Sequence, residues 1–246
     1  MNPLFFSSGS VAAGGGGASV PNPLTLSPTV YFRENGITGA SGDVASWDDE
    51  GSAGLRMEAA TVGERPTIVT VGSVQGAQFT GTDWLRSTGA IDLSLGGPDS
   101  AVNALIHWVC LRVDSLTAND RIIDMDGSFL VTLAGGLIRG ETGTTDVITS
   151  TPVLVNDVIQ LTYVMAPTLG TSKLYLNKVL ESSTAGTNSL EPASRIIAMA
   201  ARGTDGAVPW AGTILEWGIW SAEDETAFDL AALHAYGDDL IARASS

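Results

Sequence analysis

Residues 41–69, SGDVASWDDEGSAGLRMEAATVGERPTIV, combine one tryptophan, three consecutive carboxylates, two turns of small residues and a β-branched run after Arg65-Pro66. Gly, Asp and Ser favour turns, whereas β-branched residues favour strands. The stretch therefore predicts short strands joined by tight turns. It also raises the question of whether Asp48-Asp49-Glu50 is catalytic machinery, a calcium loop or a solvated corner of the fold.

The same strand-and-turn pattern continues along the chain on both sides of this stretch. Short apolar or alternating runs are separated by Asp-Gly, Gly-Gly and Asn-containing turns, and strands do not alternate with helices. This pattern predicts an all-β fold, an antiparallel two-sheet sandwich or jelly roll. The predicted strands include residues 29–34, 104–114, 121–125, 128–134, 137–141, 146–150, 157–165, 172–180, 194–200 and 212–220.

One short helix is predicted at the C-terminus. Ser221 is in position to cap it, Asp224 stands where a capping box needs an acid, and Gly237 is expected to stop or break it. Apolar residues recur at helical spacing and predict a face that packs on the last strand. They are Phe228, Ala231, Ala232, Ala235 and Tyr236.

An ordered series of short motifs resembles the concanavalin A-like lectin/glucanase domains of the laminin G type. The resemblance covers roughly residues 28–240 and implies a jelly-roll domain over residues 28–246, but it implies no particular activity. The sequence departs from the family pattern at Thr80, where Asp is frequent, and at Lys178, where the hairpin usually has Gly. The matching residues are Val44, Trp47, Asp49, Gly51, Ala60, Thr61, Arg65, Pro66, Thr67, Phe79, Gly81, Asp83, Leu85, Leu174, Tyr175, Asn177, Gly212, Ile214 and Glu216.

Residues 1–27 are rich in Gly, Ser and Pro, and they predict a flexible tail. Its apolar cluster, Leu4, Phe5 and Phe6, is predicted to dock on a partner. Jelly-roll domains with such a tail are similar to virion proteins of tailed bacteriophages. This similarity predicts localisation on the virion. Because two Phe anchors per copy bind weakly on their own, we expect the tail to attach the protein to other virion proteins as a homo-oligomer, a trimer, in which avidity strengthens attachment.

The charge balance bears on the choice of partner. The chain has 12 basic and 27 acidic residues, a net charge of −15, so it repels phosphate backbones and no nucleic-acid partner is predicted. No stretch has the length of a membrane span, so no membrane partner is predicted. Cys110 and two histidines are too few for the usual zinc sets, and His107 and Cys110 face opposite sides of a strand. No metal and no cofactor are predicted.

Three interpretations of Asp48-Asp49-Glu50 compete. Glucanases of the resembling fold carry catalytic carboxylates as E-x-D-x-x-E on one strand, and no such string occurs here. Asp124 and Asp126 form a second acidic pair but lack a third acid at that spacing. Calcium needs several converging oxygens, and neither cluster has a calcium-loop pattern. We therefore predict a structural corner in which Asp49 accepts hydrogen bonds from turn amides and Trp47 points inward, with no catalytic residue.

The six tryptophans raise the possibility of glycan stacking. Trp217 and Trp220 are three residues apart on a strand, so they face opposite sides and at least one belongs to the core. Trp84 and Trp210 adjoin turns, and these two are predicted as the exposed, glycan-binding rings.

The sequence thus predicts a non-catalytic structural or surface-display protein of a tailed-bacteriophage virion, such as a head decoration, head fibre or tail-tip component. A glycan-binding receptor module on the virion, with a host surface glycan as partner, is the first alternative. A secreted bacterial glycan-active protein is the second.

Overall fold

The structure, a computed structural model, describes residues 20–39, 42–92, 104–125, 128–142, 145–166, 171–185, 194–201, 206–222 and 225–246. These residues form two antiparallel sheets that face each other, with one helix near the C-terminus. The predicted all-β jelly-roll sandwich is therefore confirmed. No helix within these ranges combines the length and apolar character needed to cross a membrane.

The first sheet has eight strands, numbered here in chain order over the whole protein. Its order is β16-β15-β14-β9-β19-β6-β5, and β1 pairs with β19 beside this path. The strands are β1 (Val30–Phe32), β5 (Thr67–Val71), β6 (Val74–Thr80), β9 (Ala104–Val113), β14 (Val158–Ala166), β15 (Thr171–Leu176), β16 (Val179–Ala185) and β19 (Ala211–Ala222).

The second sheet has nine strands in the order β13-β12-β11-β10-β18-β7-β4-β3-β2, and β8 and β17 form a separate pair. Its strands are β2 (Ile37–Thr38), β3 (Ser46–Asp48), β4 (Arg56–Glu58), β7 (Leu85–Ser87), β10 (Arg121–Asp124), β11 (Ser128–Thr132), β12 (Ile138–Thr142), β13 (Thr145–Ile148) and β18 (Ala198–Met199), and the separate pair is β8 (Ile91–Asp92) with β17 (Ser194–Arg195).

The central strand β9 shows how the sequence pattern builds both layers of the core. Leu105 and Val109 point into the space between the sheets, while Trp108 and Cys110 belong to a second core on the other side of the sheet. His107 points between the sheets, where it accepts a hydrogen bond from the Trp217 indole. Burial lowers the pKa of His107 to about 3, so its imidazole is neutral. His107 and Cys110 thus face opposite sides, as predicted.

On strand β19, Trp217 and Trp220 face opposite sides of the sheet, which confirms the prediction. Trp217 packs between the sheets and Trp220 packs in the second core, and both are fully buried. A bulge between Ile214 and Glu216 turns the carboxylate of Glu216 toward the second core.

The helix, α1 (Leu230–Ala244), covers the outer side of the eight-stranded sheet but differs from its prediction. Ser221 is not its cap, because β19 continues to Ala222, whose partner is Ala104. Asp229 caps the helix instead, accepting from Ala232 N at 2.9 Å. The predicted apolar face is also wrong in part, since Ala231 and Ala235 are exposed. The buried helix residues are Leu233, His234, Gly237, Leu240 and Ala244.

Gly237 lies inside the helix rather than at its end. A Cβ at this position would collide with the side chain of Gln160 on β14. That side chain accepts from the Trp108 indole at 3.1 Å and donates to His234 O at 3.1 Å and to Asp238 Oδ1 at 2.9 Å. The glycine therefore allows close approach of helix and sheet, and the amide of Gln160 joins them.

The described part of the predicted tail begins at Val20. Residues Pro23–Leu26 form a 3₁₀ turn in which Pro23 is buried, and Leu24 and Leu26 pack against the second core. The domain boundary at residue 27 stays a prediction, and these contacts show that the packed region extends to residue 23.

Candidate functional site

Asp49 is the structural centre of the acidic triplet. Its Oδ1 accepts from Tyr31 N at 2.7 Å and from Gly51 N at 2.6 Å, and its Oδ2 accepts from Leu55 N at 3.1 Å. Both carboxylate oxygens thus bind backbone amides and tie the corner to β1. The prediction that Asp49 accepts turn amides is confirmed.

The two acidic neighbours of Asp49 each form an ion pair with a different arginine. Asp48 Oδ1 pairs with Arg56 Nε at 2.6 Å, and Glu50 pairs with Arg33 Nε at 2.8 Å. Trp47 is fully buried and its indole donates to Arg33 O at 2.7 Å. The three carboxylates therefore serve three different partners and do not converge on a common point.

The second acidic pair is split between described and undescribed residues. Asp124 is 1% exposed and pairs with Arg121 Nη1 at 2.6 Å, whereas Asp126 lies outside the described residues. In the part of the chain that the structure describes, no group of three or more His, Cys, Asp or Glu side chains is arranged to hold a metal ion.

The tryptophans predicted to bind a glycan are both buried. Trp210 is fully buried between the sheets. Trp84 is 6% exposed because it packs against Ala198 and Ala201, and Gly206 lies against its indole. The expectation that these rings are exposed is wrong, since contacts remote in sequence cover them. Their role in glycan binding stays a prediction, with no exposed ring face to support it.

The predicted docking residues, Leu4, Phe5 and Phe6, lie outside the described residues. Their role stays a prediction.

The outer face of the nine-stranded sheet carries the best candidate site. Met57 and Leu85 point into the inter-sheet core, so their strand neighbours point outward. These neighbours are Arg56 and Glu58 on β4, and Arg86 on β7. Glu58 and Arg86 are directly opposite each other across the two strands, and Ala198 is opposite Arg86 on its other side.

A cleft of about 510 Å³ lies beside these two strands. Ala59 and Ala60, which follow β4, contribute small side chains to its wall, and Ala59 also packs against the inter-sheet core. The described lining residues are Glu58, Ala59, Ala60, Arg86, Ser87, Thr88 and Ile196.

The two charged lining residues differ in how they are held. The Glu58 carboxylate lies 3.7 Å from Arg56 Nη1, while Arg56 is bound more closely by Asp48. The guanidinium of Arg86 lies over the ring of Trp84, 5.9 Å from its centroid, in a cation–π contact. The buried Trp84 is therefore a platform that positions an exposed arginine at the cleft.

The cleft carries complementary hydrogen-bonding groups. Arg86 offers only donors, an ionised Glu58 offers only acceptors, and the Thr88 hydroxyl offers both. Glu58 is the one carboxylate among the described lining residues.

A second group of ionisable residues surrounds a buried carboxylate. Glu216, 2% exposed, accepts hydrogen bonds from the Tyr31 hydroxyl and from the Tyr236 hydroxyl at 2.8 and 2.9 Å. Burial raises the pKa of Glu216 to about 7, although both tyrosines and Arg243 act in the opposite direction. Burial and the adjacent carboxylate also raise the pKa of Tyr236. This cluster holds the helix to the sheet.

Sequence reasoning did not single out Glu58 or Arg86. The alternation in Arg56-Met57-Glu58 and in Leu85-Arg86-Ser87 does place both charged side chains on one face of their strands. The pairing of β4 with β7 decides that they are neighbours, and the alternation within one strand carries no information about its partner.

No protein-family model and no curated protein matches the chain. Solved structures do. Domain 4 of AbnA, a GH43 extracellular arabinanase from Geobacillus stearothermophilus, in complex with arabinotriose, matches with a TM-score of 0.59 at 13% identity, covering 87% of this chain and 98% of that one.

Binding domains of bacterial toxins match as well. The binding domain of Paraclostridial Mosquitocidal Protein 1 has a TM-score of 0.60 at 13% identity, covering 89% of this chain and 52% of that one. The ligand binding domain of botulinum neurotoxin serotype D, in complex with N-acetylneuraminic acid, has a TM-score of 0.57 at 14% identity, covering 87% and 51%. The chain thus spans about half the length of these toxin domains. At such identities the likeness shows a shared β-sandwich fold.

Proposed function

We propose that this protein is a non-catalytic glycan-binding module and that the cleft between β4 and β7 is its binding site. The observation that carries the proposal is the cross-strand pair of Glu58 and Arg86 at an open cleft of about 510 Å³. A carboxylate and a guanidinium side by side accept from and donate to neighbouring sugar hydroxyls at the same time.

The shape of the cleft supports the same function. Binding sites for small ligands are concave and combine apolar surface with a few placed polar groups. Ala59, Ala60 and Ile196 supply the apolar surface here, and Arg86 is oriented in advance by Trp84. The domain also shares its fold with the arabinanase and neurotoxin domains that were solved with arabinotriose and N-acetylneuraminic acid.

A glycan array tests the proposal. The protein is presented as a multimer, because a single shallow site binds weakly and several linked copies raise the apparent affinity. We expect binding to at least one class of oligosaccharide and at least a tenfold loss in Arg86→Gln.

The matched control is Arg139→Gln, an arginine on the same sheet that is paired with Glu141 and Asp146. This variant keeps wild-type binding if the cleft is the site. Equal losses in both variants, or no binding to any glycan, would overturn the proposal.

The second candidate is the virion role, as a structural or surface-display protein of a tailed bacteriophage. Its support is the apolar cluster Leu4-Phe5-Phe6 ahead of the Gly14–Gly17 run in the sequence. Attachment through that cluster in a trimer is compatible with glycan binding by the jelly roll. Deleting residues 2–20 tests it: a folded variant that no longer joins particles supports the role, and wild-type occupancy on particles contradicts it.

A further inference from the structure

The charges beside the cleft alternate in sign. Asp48 pairs with Arg56 at 2.6 Å, Arg56 lies 3.7 Å from Glu58, and Glu58 stands directly across the strands from Arg86. Two acids and two arginines thus follow one another over three strands. The charges of these four described residues balance, even though one arginine points into the cleft.

A neutral sugar and an acidic sugar meet this arrangement differently. A hydroxyl both donates and accepts, so two adjacent hydroxyls satisfy Glu58 and Arg86 together. A sugar carboxylate can accept hydrogen bonds from Arg86, but it then lies beside the like charge of Glu58. Residues directly opposite each other on paired strands have Cβ atoms roughly 5 Å apart, so the repulsion acts at short range. Arg56 does not offset that repulsion fully, since Asp48 already binds its guanidinium.

The net charge of the whole molecule also disfavours acidic sugars. The net charge of −15 lowers the local concentration of anions around the domain. The neutral surface of Ala59, Ala60 and Ile196 favours the C–H face of a sugar over a charged group. The structural neighbours include complexes with both a neutral and an acidic sugar, so they do not favour either ligand.

We infer, on the basis of the proposed function, that the cleft takes neutral sugars and that Glu58 is the residue that excludes carboxylate-bearing ones. Glu58 thereby determines specificity, and Arg86 supplies affinity to either class of sugar. Removing the charge of Glu58 while keeping its shape is expected to open the site to acidic sugars.

The test compares wild type with Glu58→Gln on an array that presents each oligosaccharide in three forms: neutral, uronic acid and methyl ester of that acid. Wild type is expected to bind the neutral form and the ester at least tenfold more strongly than the acid. Glu58→Gln is expected to reduce that preference to less than threefold, because the glutamine amide carries no charge.

Glu141→Gln is the matched control, with the same change of charge on the same sheet and five strands from β4. It is expected to keep the wild-type preference. Binding of the acid by wild type as strongly as the neutral form, or an unchanged preference in Glu58→Gln, would overturn the inference and leave the proposed function standing. Absence of binding to all three forms would overturn both.

Discussion

The hydroxyl of Tyr236 on α1 donates to both carboxylate oxygens of Glu216 on β19, at 2.8 and 2.9 Å. The Tyr31 hydroxyl on β1 donates to the same carboxylate. A single buried acid thus joins the helix to strands β19 and β1. Because a buried charge is costly without full compensation, this junction makes the stability of the fold depend on pH.

Glu216→Gln is expected to remove that pH dependence. The pKa of Glu216 is about 7 in the folded protein and 4.5 in the unfolded chain, so between these values the folded state binds the extra proton. The free energy of unfolding of wild type should therefore fall by about 3 kcal/mol, relative to the variant, as pH rises from 4.5 to 7. Urea unfolding of both proteins across this pH range measures the change. A difference in free energy of unfolding that stays constant with pH would contradict the prediction.

His107 gives a pH dependence of the opposite sign. Its pKa is about 3 when folded against 6.5 when unfolded, so the unfolded chain takes up the proton first as pH falls. Wild type is expected to lose about 4 kcal/mol relative to His107→Gln between pH 6.5 and pH 3. Acid titration followed by tryptophan fluorescence should place unfolding of the variant at a lower pH. A difference in free energy of unfolding between the two proteins that stays constant from pH 6.5 to pH 3 would contradict a neutral, buried His107.

Asp49→Ala is expected to lower the free energy of unfolding by about 3 kcal/mol, because three backbone amides lose a charged acceptor. Asp49→Asn, which keeps one acceptor oxygen, should lose less. The adjacent Asp48→Ala is the control, since it removes only an exposed pair with Arg56 and should remain close to wild type. Chemical denaturation ranks the three variants, and equal effects at both positions would refute the role assigned to Asp49.

Gly237→Ala is expected to destabilise the protein, although alanine normally stabilises a helix interior by about 1 kcal/mol over glycine. The added Cβ would collide with Gln160 and disturb its bonds to Trp108 and Asp238. In a Gln160→Ala background the same change should become neutral or stabilising. A double-mutant cycle by thermal unfolding measures this coupling, and additive effects would argue against the contact.

Deleting residues 2–27 is expected to lower the stability by about 2 kcal/mol relative to deleting residues 2–19. The longer deletion removes the buried Pro23 and the packing of Leu24 and Leu26 on the second core. Comparing the two truncated proteins by calorimetry isolates the contribution of residues 20–27. Identical midpoints would mean that these contacts do not contribute to stability.

Local features of the sequence predicted the strands well, because alternation and turn residues act over a few positions. The run 172–180, predicted as one strand, is instead divided by a turn between β15 and β16. Asn177 and Lys178 both have positive φ, 48° and 64°, so the turn forms with lysine at the position where the concanavalin A-like domains that the sequence resembles usually have glycine. The corner around Asp49 was equally predictable, since two of its three amide partners are within six residues.

The sequence by itself determined the all-β architecture, the inward Trp47 and the opposite faces of Trp217 and Trp220, because strand periodicity is a local property. Only the tertiary structure decided which surfaces are open. Trp84 is covered by Ala198 and Ala201, more than a hundred residues away, and Glu58 meets Arg86 because β4 pairs with β7. Burial and pairing depend on which distant segments pack together, and that information does not lie in any single stretch of the chain.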